Sequence, residues 1–191
     1  MPQPPYTLGI LSGGRGTRIG GDDKGWLLWQ QQPLIRHQLA RFGPQAQCIL
    51  ISANRELARY RQLPAQTVPD LRPDYPGPLA GLEALMHACP QWPLVVIPCD
   101  MPQLPDDLPA RLLAGLKTAA IAVANDGERQ QHLCLALSSP ELLPALGRYL
   151  DQGNRSVHGW LRKENVTSIT FPGAGEAFAN INRASEPPAQ S

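Results

Sequence analysis

The segment Leu11–Gly25, LSGGRGTRIGGDDKG, holds six of the chain's 17 glycines together with two arginines and a lysine. It follows the apolar run Leu8-Gly9-Ile10. Glycine lets consecutive backbone N–H groups approach a ligand and accepts positive φ. Such N–H groups form an anion nest, and a following helix N terminus adds partial positive charge. Lys24 and the two arginines add full charges, so the chemistry on offer is the holding of phosphate. Two familiar phosphate loops are excluded. A GxxxxGK[ST] loop fails because Lys24 follows Asp23 and precedes Gly25. A GxGxxG fingerprint begins at Gly14-Arg15-Gly16 but ends on Ile19. The bland alternative is a surface turn.

Other groups able to do chemistry stand at the ends of apolar runs. Asp100 follows LVVIP (94–98), Asn54 follows CILISA (48–53), and Asp70 follows QTV (66–68). Each also has a plain structural reading. Asp100 could cap the next turn beside Pro102 and Pro105. Asn54 could cap a helix, and Asp70 could start a turn before Pro73. Lys24 has a plain reading too, as an exposed lysine at a helix start, which its place in the glycine-rich segment disfavours.

The elements that must position these groups alternate along the chain. Strand patterns cover 8–11, 48–53, 66–68, 94–98, 121–125, 133–138 and 166–171. Helical patterns cover 33–42, 55–63, 79–89, 106–117, 141–152 and 156–163, with Pro33 in a favoured first turn. The stretch DLRPDYPGPLAG is a loop by its proline and glycine content. This alternation predicts an α/β fold: a mostly parallel sheet with helices on both faces. Ligands of such sheets gather outside the carboxyl ends of the strands. A parallel sheet brings the glycine loop, Asn54, Asp70 and Asp100 to one rim.

Composition limits the partners. The 191 residues suffice for one domain with a substantial core. There is no repeat or internal linker, so residues 1–186 read as one domain and 187–191 as a flexible tail. A net charge of +1 gives no global field for nucleic acid or anionic lipid. No apolar run approaches the roughly 20 residues that cross a bilayer. The N terminus has no signal-peptide pattern. Cys48, Cys89, Cys99 and Cys134 form no CxxC pair, which argues against zinc and against a disulfide framework. A cytoplasmic protein is expected. His37, His87, His132 and His158 form no HxxxH or triad-like set and read as ordinary helix or loop residues.

Leu11-Ser12-Gly13-Gly14, Arg18-Ile19-Gly20 and Asp23-Lys24, followed downstream by DYPGPLAG and PCDMP, resemble the molybdenum cofactor guanylyltransferases. The resemblance runs from about Leu8 to Asn182. It implies a nucleotidyltransferase with a Rossmann-like fold, related to the nucleotide-diphospho-sugar transferases. Such an enzyme joins the GMP part of GTP to the molybdopterin cofactor and releases pyrophosphate, using Mg2+ with Mn2+ as an alternative. It also implies roles. Leu11, Ser12, Gly13, Gly14 and Lys24 hold the GTP phosphates, with Arg18 as a second clamp and Arg15 solvated. Asp100 holds the metal. Asn54 and Asp70 contact the nucleotide, and Pro76–Gly81 lies near the base. Asn180 and Asn182 of FANIN, placed on one face of a strand, meet the pterin side, and Arg155 meets its phosphate or is simply solvated. Two departures are Ser12, where alanine is usual, and His132-Leu133, where His-Pro is usual beside the pterin site.

The resemblance further implies a monomer that transiently meets molybdenum cofactor biosynthesis or acceptor proteins. Two other functions fit the residues. One is a cytidylyltransferase acting on the same or another phosphorylated small molecule, against which the Gly13-Gly14 pair argues by resemblance. The other is a non-catalytic GTP-binding protein that delivers the cofactor, against which Asp100 argues.

Overall fold

All five residues of β1 (Thr7–Leu11) are buried. A strand shielded on both faces belongs inside a sheet covered by helices on each side. The computed structural model of the protein, which describes residues 4–13, 23–73 and 77–181, shows that arrangement. β1 lies between β4 (Cys48–Ser52) and β6 (Leu94–Pro98), parallel to both. β5 (Gln66–Val68) extends the sheet beyond β4. On the other side β6 is followed by β8 (Gln130–Leu137), β7 (Ile121–Asn125) and β9 (Val166–Thr170), giving the order β5-β4-β1-β6-β8-β7-β9.

Side chains alternate across a strand, and the core divides accordingly. Leu8, Ile10, Ile51, Val95 and Ile97 pack with α1 (Leu34–Phe42) and α4 (Leu108–Gly115). Leu11, Leu50 and Val96 pack on the opposite face with α3 (Pro78–Ala88), α5 (Leu143–Asp151) and α6 (Val157–Leu161). Gly9 faces α3 so closely that a Cβ there would lie 3.0 Å from Leu85.

The register places the expected groups together. Leu11 pairs with Ser52 and Pro98, and Ser52 pairs with Val68. Ser12, Asn54, Asp70 and Asp100 therefore all leave the sheet at the carboxyl rim of its parallel strands.

The sheet is mostly parallel, as expected, and the exception is β8, antiparallel to both β6 and β7. Only four residues, Asp126–Arg129, separate β7 from β8, too few for the crossover that a parallel pair requires. β8 also begins earlier than predicted, at Gln130. Its register jumps from Val123↔Leu135 to Ala124↔Gln131, leaving His132–Cys134 as a bulge at the rim. The helix expected over 55–63 is only α2 (Leu57–Tyr60), which Glu56 enters in the left-handed region. A hairpin, β2 (Leu28–Trp29) with β3 (Gln32–Pro33), was not expected. It turns through Gln30 and Gln31, both at positive φ, without the glycine or asparagine that usually signals such a turn. FANIN is not a strand within the described residues. A 3-10 turn spans Gly175–Phe178, Phe178 is buried, and the Ile181 N–H donates to the Asp100 carbonyl at 2.8 Å. The tail reading for 187–191 lies outside the described residues.

Candidate active site

Lys24 opens a short 3-10 turn, Lys24–Trp26, capped by Asp23, whose Oδ1 accepts from the Gly25 N–H at 2.9 Å. From there the Lys24 Nζ reaches Asp100 Oδ2 at 2.8 Å. Asp100 sits directly beyond β6 with its side chain 11% exposed, while that of Lys24 is 39% exposed. Lys24 and Asp100, 76 positions apart in sequence, thus form one ion pair at the rim.

A second polar chain supports this pair. The Ser12 Oγ lies 2.6 Å from the Tyr60 hydroxyl, and that hydroxyl donates to Asp23 Oδ1 at 2.5 Å. Tyr60 is fully buried. A Cβ on Gly25 would collide with both the Ser12 and Tyr60 hydroxyls, so glycine is required there. Burial pushes the Asp23 carboxyl above its ordinary value, against the hydrogen bonds from Tyr60 and Gly25. Burial and the adjacent Asp23 also raise the Tyr60 phenol. Sequence reasoning missed Tyr60 altogether and gave Asp23 no role of its own, using it to reject one motif and, beside Lys24, to carry the resemblance. A tyrosine on a short amphipathic segment carries no signal beyond that of an ordinary core residue.

Asn54 is not a helix cap. Its Oδ1 accepts from the Asp70 N–H at 2.8 Å, stapling the ends of β4 and β5. Its Nδ2 would lie 3.1 Å from a Cβ on Gly13, so Asn54 and the start of the glycine segment adjoin. The α3 N terminus opens at the same rim. Gly77 enters it at φ 98, and Gly81 is pressed so close to Ser52 and Leu11 that a Cβ would meet them at 2.6 and 2.9 Å.

Burial is the largest influence on the Asp70 carboxyl and raises it above its usual 3.8, opposed by hydrogen bonding to Asn54. A carboxyl raised in the folded state contributes stability that is full below its unfolded value and lost as pH rises through its folded one. Asp70→Asn is therefore expected to match the parent protein below pH 3.8 and to exceed it increasingly as pH rises toward neutrality. Urea unfolding across that range measures the difference, and a difference independent of pH contradicts it.

The predicted pterin-side residues are less gathered. Arg155 is exposed and donates through Nη1 to the carbonyls of Leu150 and Asn154, at 2.9 and 2.7 Å, at the end of α5. Asn180 is exposed next to Ile181, which is bonded to Asp100. His132, in the β8 bulge, packs against His158 of α6 with ring centroids 5.2 Å apart and planes tilted by 41°, so two histidines read as ordinary in fact meet. Gly14, Arg15, Arg18, Pro76 and Asn182 lie outside the described residues.

Among the described residues no group of three or more His, Cys, Asp or Glu could hold a metal. A cage made wholly of protein is thus absent from this part of the chain. The lone Asp100 carboxylate nevertheless fits Mg2+, which takes one or two carboxylates and fills its remaining positions from substrate phosphates and water.

Residues 8–166 match the family description MobA-like NTP transferase domain. A molybdenum cofactor guanylyltransferase of Shewanella sediminis is 42% identical over 91% of this chain and 89% of its own. One of Serratia proteamaculans is also 42% identical, over 91% and 87%. The chain belongs to the molybdenum cofactor guanylyltransferase family. Solved structures agree on the family fold. The molybdopterin-guanine dinucleotide biosynthesis protein A of Archaeoglobus fulgidus superposes with a TM-score of 0.72 at 22% identity, covering 93% of this chain and 92% of that one. A nucleotidyl transferase of Methanothermobacter thermautotrophicus gives 0.74 at 14%, covering 94% and 92%. The family match spans Lys24, Asn54, Asp70, Asp100 and Arg155 and ends before Asn180 and Asn182. No helix among the described residues is long and apolar enough to cross a membrane.

Proposed function

We propose that this chain transfers GMP from GTP to the molybdopterin form of the molybdenum cofactor and releases pyrophosphate. The observation that carries the reading is the Lys24–Asp100 pair at 2.8 Å, set at the rim where the glycine-rich segment leaves β1. Family membership supplies the substrates.

The reaction is an in-line displacement. An oxygen of the cofactor's terminal phosphate attacks the α-phosphorus of GTP. A P–O bond forms there as the bond to the β-phosphate oxygen breaks, and the electron pair leaves with pyrophosphate. That attacking phosphate is already ionised near neutral pH, so no general base is needed. Catalysis of this kind is positioning plus electrostatic stabilisation. Leu11–Gly14 hold the phosphates, and the Lys24 ammonium stabilises charge developing on them, with Arg18 as a second clamp. Asp100 holds Mg2+ or Mn2+, which when bound neutralises charge on the phosphate oxygens. Asn54 and Asp70 orient the nucleotide. Asn180, Asn182 and Arg155 receive the cofactor. The enzyme works as a cytoplasmic monomer that meets its protein partners transiently.

Thermal melting tests the nucleotide assignment. GTP with Mg2+ at about a hundred times its dissociation constant stabilises by about 2.7 kcal/mol. For a chain of this size that raises the midpoint by roughly 5–10 °C. A shift with GTP and none with CTP is expected. A shift with CTP alone moves the protein to cytidylyl transfer. A GTP shift without pyrophosphate release when cofactor is added overturns catalysis.

A further inference from the structure

Ser12 and Asp23 flank the glycine-rich stretch in sequence, and both are bonded to one atom, the Tyr60 hydroxyl. The direction of this relay follows from the groups themselves. Tyr60 gives its single hydroxyl proton to Asp23, so its oxygen can only accept from Ser12, which donates to it. Asp23 Oδ1 also accepts from the Gly25 N–H, which pins the backbone on the far side of Lys24. No space is left at Gly25 for a side chain, because the same two hydroxyls fill it. The Tyr60 ring is itself held, 5.0 Å from that of Trp26, with the Arg59 guanidinium 4.0 Å above the Trp26 ring. Lys24 therefore hangs from a backbone fixed at both neighbours, while its own long side chain is more than a third exposed.

We propose that Tyr60 is a positioning residue for guanylyl transfer: its hydroxyl clasps Ser12 to Asp23 and so fixes the backbone from which Lys24 reaches Asp100. The inference rests on the guanylyltransferase reading above. Tyr60 touches no reacting atom and acts through Lys24.

Tyr60→Phe removes the hydroxyl and keeps the ring. It is expected to lower kcat roughly ten- to a hundredfold, as a misplaced catalytic group does. In the Lys24→Ala background the same change has little further effect, because both substitutions remove one function. Asp23→Asn, which keeps the accepting oxygen, retains most of the activity that Asp23→Ala loses. A merely structural tyrosine would lower the melting temperature and leave kcat intact well below it, whereas a tyrosine acting apart from Lys24 would give a loss that multiplies with that of Lys24→Ala. Any of those kinetic results overturns the proposal.

A second readout needs no turnover. The chain has three lysines, Lys24, Lys117 and Lys163. Labelling with an amine-reactive reagent, resolved by mass spectrometry, should rise severalfold at Lys24 in Tyr60→Phe and stay unchanged at Lys117 and Lys163. Unchanged labelling at Lys24 overturns the clasp. Protection of Lys24 by Tyr60 in a protein that transfers no GMP sustains the clasp and instead rejects the guanylyltransferase reading.

Discussion

Lys24→Ala is expected to lower the rate of GMP transfer several hundredfold, and Asp100→Ala by at least as much, with both proteins still folded. An electrostatic contact aimed at developing charge in a water-poor site contributes about 3–4 kcal/mol to the transition state. The same contact contributes little to folding. The Lys24 side chain is 39% exposed, and partly exposed ion pairs are screened to about 1 kcal/mol or less. The two variants should therefore separate function from stability. Pyrophosphate release measures the first and thermal melting the second. Asp100→Asn keeps the shape of the side chain and removes its charge, so it should resemble Asp100→Ala in rate. Near-normal rates for both alanine variants sink the assignment of this pair.

Arg72→Ala is expected to have the largest effect on stability. Glu83 of α3 has a side chain only 7% exposed and binds the Arg72 guanidinium through both oxygens, at 2.6 and 2.7 Å. The same guanidinium reaches Asp151 at the end of α5 at 2.7 Å. Removing it leaves a buried carboxylate without its cation, at a cost of about 3–5 kcal/mol. Replacing both partners by apolar residues, Arg72→Met with Glu83→Leu, removes the stranded charge and should restore most of the loss. Arg72→Lys should restore little, since an ammonium cannot reproduce the two-pronged contact. Asp151 is 67% exposed, and Asp151→Ala should cost no more than about 1 kcal/mol. Equilibrium urea unfolding gives each value. A loss below 1 kcal/mol for Arg72→Ala rejects the account.

These two networks differ in how far the sequence announces them. Lys24 and Asp100 lie at the ends of a glycine-rich segment and an apolar run, and a parallel sheet must bring such ends to one rim. The short apolar runs TLGIL, CILIS and LVVIP are legible because each is a strand inside the sheet, wholly buried in TLGIL and LVVIP and over the last three residues of CILIS. Strand direction is not legible, since an apolar run reads the same both ways. The mostly parallel sheet was foreseen from the alternation of strands and helices, but nothing singled out β8 as its antiparallel strand. The Gln30-Gln31 turn carries no turn residues, and its backbone is held by the hairpin around it. Arg72 and Glu83 are 11 positions apart across a loop and a helix, a spacing with no periodic meaning. Asn54 was seen as a nucleotide contact or a helix cap. Its observed bond to the Asp70 N–H depends on β5 lying beside β4, which no local pattern encodes.

The bond from the Ile181 N–H to the Asp100 carbonyl has a consequence in time. A chain emerges from the ribosome from its N terminus onward. Once Pro98 is out, β1 has both of its sheet neighbours, and Lys24 can meet Asp100 soon after. Ile181 arrives much later, and with it the stretch carrying Asn180. The part of the rim that carries Lys24 and Asp100 can thus assemble before the segment seated on Asp100 has been made.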